Sequence, residues 1–197
     1  MFPLTFKEYM QGYSGDTYRG FADYIMYGGL PLILSMKTEE QKVEYLTRLF
    51  EETYIKDIRE RNRIDKIQEL NDLINVLASA VGSLTNPSKI EATFKSKLHS
   101  DISINTIRQY IAFLQDAFVI HEAHRFDVKG RKYIGSPLKY YFEDVGLRNA
   151  RLGFRQHEET HLMENMLYNE LSPLKLTAAE FKAQVIADGT FGMRRRT

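Results

Sequence analysis

The chain has 197 residues, 43% of them hydrophobic and 27% charged, and a formal net charge of +1. That is a globular composition, long enough for a real core, and it excludes a disordered or uniformly basic chain. There is no cysteine, which excludes a disulfide framework and any thiolate metal or nucleophile site. No apolar run approaches the length of a membrane span. The opening MFPLTFKEYM lacks the basic-then-apolar order of a signal peptide. A cytoplasmic protein without a membrane partner is the expectation.

Up to about Ser35 the density of Gly, Tyr and Pro predicts an extended, turn-broken lead-in covering residues 1–37, with YGGLP (Tyr27 to Pro31) as a turn. No Gly-Lys-Ser/Thr follows that turn, so it is not a phosphate loop. A helix then starts at a capping box, Thr38 with Gln41, and buries Val43, Leu46, Phe50, Tyr54 and Ile58. Its charged end, IKDIRERNR, reads as a solvated face with Asp57 pairing to Arg61. A second helix spans 66–81, capped by Asp65. Ile67, Leu70, Leu73, Ile74, Leu77 and Val81 form its stripe, and Gly82 stops it.

Asn86-Pro87 is a cap followed by a first-turn proline. Ile90, Phe94 and Leu98 give the helix that follows one apolar face. A four-residue connection, HSDI, leads to Ser103, the cap of a third helix that buries Ile104, Ile107, Ile111, Leu114 and Phe118. Two short helices and a tight turn make a helix-turn-helix signature. The period then becomes extended: VIHEAHRF, a DVKG turn and RKYI read as a hairpin, with PLKYYFED as a further strand. The fold class expected is mainly α with a small β component (α+β), built on a winged helix within residues 38–147.

Charge is unevenly spread. Residues 86–141 hold nine Lys/Arg against five Asp/Glu, while the remainder is net acidic. A basic module in an acidic frame points to a polyanion. The front of the presumed recognition helix offers Asn105, Thr106, Arg108 and Gln109, amide and guanidinium groups able to pair with base edges. The hairpin tip offers Lys129, Arg131 and Lys132 for phosphate contact.

Several blocks, in this order, carry a resemblance: PLTFKEYM, YGGLPLIL, YLTRLFEETYIKDIRERNRI, SLTNPSKIEATFKS, SINTIRQYIAFLQDAFVIHEAHRFDVKGRKYIGSPLKYYFEDVGLRNARLGF and HLMENMLYNEL. Over roughly Phe2 to Leu171 the chain resembles the C-terminal part of a large prokaryotic family of AAA+-type ATP-binding proteins, an ATPase core followed by domain of unknown function 4143. The resemblance implies a winged helix after the ATPase core. It then implies the start of a restriction-nuclease-like α/β segment over 148–197, whose E-N and E-L elements are Glu164-Asn165 and Glu170-Leu171. The nucleotide motifs of that family are not in this chain, so ATP and Mg are expected only in a core outside it. From Ser172 onward the similarity lapses. Glu180-Phe181-Lys182 supplies an E-x-K without the aspartate a nuclease metal site needs.

HEETH (His157 to His161) matches the zinc-protease pattern H-E-x-x-H. GFRQ before it lacks the apolar residues that would bury such a helix, and the resemblance starts the next helix at His161. His157 then falls in a loop, off the face of His161. His121 and His124, three apart on a strand, point to opposite sides. Solvated histidines and no metal site are expected. The reading is a non-catalytic binding or regulatory module that contacts DNA, its partners being DNA, the ATPase core and a further copy of itself. The alternative is a docking or self-association module without DNA, and the remote alternative a zinc metallohydrolase.

Overall fold

The computed structural model describes residues 3–124, 138–155 and 159–171. The architecture is mainly helical with one two-stranded antiparallel sheet, the α+β class expected. The first 37 residues depart from the extended lead-in. They form helix α1 (Phe6–Gly12), helix α2 (Thr17–Tyr27) and a 3-10 turn (Pro31–Ser35). The helix signals are caps that the glycines obscured: Thr5 and Glu8 close a capping box, and Asp16 accepts from the Tyr18 and Arg19 N–H groups. Gly20 lies inside α2 against Met10 and Tyr13, a contact that lets the two helices approach. Tyr9 meets Tyr24 edge to face at 5.1 Å between centroids, and Phe6 meets Phe21 at 5.5 Å. This aromatic knot, with Met166, is a small second core.

Helix α3 (Glu39–Arg48) starts at the expected Thr38–Gln41 capping box. It continues through a π-helical stretch (Leu49–Ile55) into helix α4 (Lys56–Asn62). Leu46, Phe50, Ile55 and Ile58 are buried, whereas Tyr54 is only half-buried. The step from Phe50 to Ile55 is five residues, and the wider π turn absorbs it. Asp57 and Arg61 pair as expected. Lys42, almost wholly buried, holds Asp23 at 3.1 Å and ties α3 to α2.

Helix α5 (Ile67–Ser79) buries Leu70, Leu73, Ile74, Leu77 and Ala78. Asp65 does not cap it; Lys66 occupies the cap position and no side chain closes the end. Gly82, at φ +69°, turns the chain out as expected. Helix α6 (Pro87–Thr93) is capped by Asn86 and runs on into a π-helical end (Phe94–Leu98). Helix α7 (Ile104–Asp116) is capped by Ser103. Ile107, Tyr110, Ile111 and Leu114 face inward, but Phe118 is 60% exposed, because the helix has ended and Phe118 sits in a left-handed turn at φ +54°.

Strand β1 (Ile120–Ala123) pairs with strand β2 (Lys139–Phe142), Ile120 opposite Phe142 and Ala123 opposite Lys139. Among the described residues the strand paired with Ile120–Ala123 is Lys139–Phe142; the expected partner RKYI lies outside the described residues. Thr85, between α5 and α6, exchanges both backbone hydrogen bonds with Leu138, at 2.8 and 2.7 Å. Helices α8 (Val145–Arg151) and α9 (Glu159–Leu171) follow. No helix among the described residues is long and apolar enough to cross a membrane.

Candidate nucleic-acid interface

Helix α7 lies with one face on the core, which fixes what the other face presents. Asn105, Arg108 and Gln109 are exposed, with Ala112 next along the same side. Thr106 is half-buried, and its hydroxyl shares a 2.9 Å hydrogen bond with the capping Ser103, so it serves the helix start as well as the surface. Among the described residues no side chain engages Asn105, Arg108 or Gln109. A guanidinium and two amides thus stand together in open solvent with their donors and acceptors uncommitted, which is what base-edge or phosphate pairing requires. Lys129, Arg131 and Lys132, the expected hairpin tip, lie outside the described residues. Just before α7, exposed Lys89, Lys95 and Lys97 line α6. Their spacing in the sequence, K-x-x-x-x-x-K-x-K, places three cations on the helix ahead of α7.

A second polar constellation has the opposite character. Helix α8 is only seven residues long and six of them are buried. Its cap, Asp144, accepts from Leu147 N at 3.0 Å and reaches across the chain to Gly29 N at 2.8 Å. Burial pushes the Asp144 carboxyl up to about 6, against the backbone N–H groups of Gly29, Leu147 and Gly146, which favour the anion. Asn149 donates to the carbonyls of Ile25 and Met26, two of the otherwise unpaired carbonyls ending α2. Arg148, 1% exposed, donates to the Ala78 carbonyl at the end of α5. Arg151 adds Asn75, the Asn71 carbonyl and Glu51. One short helix therefore closes the ends of two others.

Helix α9 uses its E-N pair structurally. Asn165 is fully buried and both accepts from Phe142 N and donates to Phe142 O, at 2.8 Å each, mimicking a further strand against β2. Glu164 binds the Tyr141 hydroxyl at 2.6 Å and Lys139. Partial burial pushes its carboxyl up, but the Lys139 and Tyr141 hydrogen bonds outweigh that and hold it below the usual range. Glu170 accepts from Phe6 N at 2.6 Å and so pins α9 to the start of α1. His121 pairs with Glu143, and His124 with Glu122. Within HEETH, His161 lies in α9 and His157 outside the described residues. Among the described residues no three His, Asp or Glu side chains converge to hold a metal ion.

Fold and surface together describe a small α+β domain in which the polar groups of α8 are committed to backbone partners and those of the α7 front are not. The chain belongs to the family described as Domain of unknown function (DUF8612), whose model matches residues 18–158. It is similar to an uncharacterized protein of Haemophilus influenzae, at 31% identity over 176 residues, covering 87% of this chain and 44% of that protein. It is also similar to an uncharacterized protein of Methanocaldococcus jannaschii, at 26% identity over 181 residues, covering 86% of this chain and 40% of that one. The chain spans less than half the length of these curated relatives. No solved structure matches it.

Proposed function

We propose that the chain is a non-catalytic winged-helix module of a longer AAA+-type ATP-binding protein, and that α7 contacts duplex DNA. The observation that carries this is the outer face of α7, where Asn105, Arg108 and Gln109 stand exposed and unengaged among the described residues. The order of elements supports the winged-helix part: α5, α6 and α7, then β1 and β2, with Thr85 bridged to Leu138 just ahead of β2. A three-helix unit backed by a small sheet is the setting in which the third helix enters a groove. The length of the curated relatives favours a partner region elsewhere in the protein. The AAA+ assignment and the restriction-nuclease-like reading of the segment that α9 opens rest on the sequence resemblance alone.

The test is fluorescence anisotropy of a labelled 30-base-pair duplex against the purified chain at low salt. Binding is expected, weakened about 5- to 100-fold by Arg108→Ala. Absence of binding, or binding indifferent to Arg108→Ala, removes the reading. A docking module is the second reading, favoured by Met163 and Leu167, one turn apart on α9 and 45% and 57% exposed. A stable complex in sedimentation that ignores DNA and is lost on Leu167→Glu would establish it instead.

A further inference from the structure

The cations on α6 add something that the α7 front does not. Ile90 and Phe94 turn inward, which leaves Lys89, Lys95, Ser96 and Lys97 on the outer side. Lys95 is held by Glu91 at 3.2 Å. Lys89 and Lys97 have no carboxylate partner among the described residues. Asp101, exposed in the turn before α7, opposes their field.

Chain connectivity fixes where these lysines sit. Only four steps separate His99 from the cap Ser103, a reach of at most about 14 Å. The π-helical end that carries Lys97 is therefore kept near the start of α7, whose first two turns carry Asn105 and Arg108. That upper bound is comparable to the width of a B-form major groove, about 12 Å. Lys89 lies eight residues earlier, roughly 12 Å back along the helix, far enough to reach a different phosphate of the same strand.

We infer that Lys89 and Lys97 grip the phosphates bordering the groove that α7 enters, which makes the ligand a B-form duplex and not an A-form one. This rests on the DNA reading of α7 and extends it. The lysines supply affinity that is blind to sequence and sensitive to salt, while Arg108 and the amides supply readout. An A-form RNA duplex, whose major groove is too deep and narrow for a helix, leaves the α7 front unused.

The experiment follows affinity for the 30-base-pair DNA duplex from 50 to 200 mM NaCl. The double variant Lys89→Ala/Lys97→Ala is expected to fold as the parent does, since both side chains are exposed, and to lose affinity equally for unrelated sequences. The slope of log affinity against log salt should flatten by about two, near 0.9 for each phosphate contact removed. Asp101→Asn should tighten binding severalfold, the opposing charge being gone. An A-form RNA duplex of equal length should compete at least about tenfold less well than DNA. An unchanged slope in the double variant, with Arg108→Ala still weakening binding, overturns the lysine inference and leaves the α7 reading standing. Equal competition by RNA overturns it too. No binding by the parent chain at 50 mM removes both together.

Discussion

Helix α8 and helix α7 use the same side chains to opposite ends. Each presents an arginine and an asparagine: Arg148 and Asn149 on one, Arg108 and Asn105 on the other. On α8 both are buried and spent on backbone carbonyls from distant parts of the chain. On α7 both are exposed and, among the described residues, engage nothing. Residue type alone does not separate a structural polar group from one available to a partner; commitment of its hydrogen bonds does. A buried arginine left without its carbonyl costs far more than an exposed one left in water.

That contrast is open to direct attack. Arg148→Ala should cost at least about 3 kcal/mol in urea unfolding, because it removes a buried charge-assisted bond and leaves a cavity. A loss below 1 kcal/mol would mean that α8 is not the hub described. Asn165→Ala should cost about 2 kcal/mol by the same measurement, since it strips both backbone partners from Phe142.

Asp144 sharpens the comparison through pH. Its folded carboxyl titrates near 6, above the ordinary 3.8. Between those values the folded chain holds more protons than the unfolded one, so this group's contribution is complete below about pH 4 and is lost as pH rises through 6. Stability of the parent should fall by about 1–3 kcal/mol over that interval on account of Asp144, and Asp144→Asn should remove this fall. Arg108→Ala marks the other extreme. Its unfolding free energy should stay within about 0.5 kcal/mol of the parent while duplex affinity drops. A large stability loss there would put Arg108 in the same class as Arg148.

What could be read in the sequence divides along the same line. The caps at Thr38, Asn86 and Ser103 and the apolar stripes of α5 and α7 are local signals, and the structure keeps them except at Phe118, which lies past the end of α7. Local pairing at Asp57 and Arg61 held as well. The first 37 residues are helical where their composition suggests an extended chain, because Gly12 and Gly28 end helices and Gly20 lies within one. Helix α8 gives no amphipathic period, being short and buried nearly all round, and the partner of Asp144 stands 115 residues away at Gly29. On α7 the exposed side follows from the buried stripe, so the exposure of Asn105, Arg108 and Gln109 was legible in the sequence. The same argument applies to the α6 lysines, because Ile90 and Phe94 mark the inward face of that helix.

The π turn in the long α3–α4 rod has a consequence of its own. Phe50, Ile55 and Ile58 are spaced five and three apart, a pattern that a uniform α-helix would spread over about 140° of its circumference. Removing one outward residue from that turn, such as Glu52, would leave steps of four and three, the ideal rhythm for an unbroken helix. The rod thus carries a spare residue, and a length change that would scramble any other stretch of it would here only straighten it.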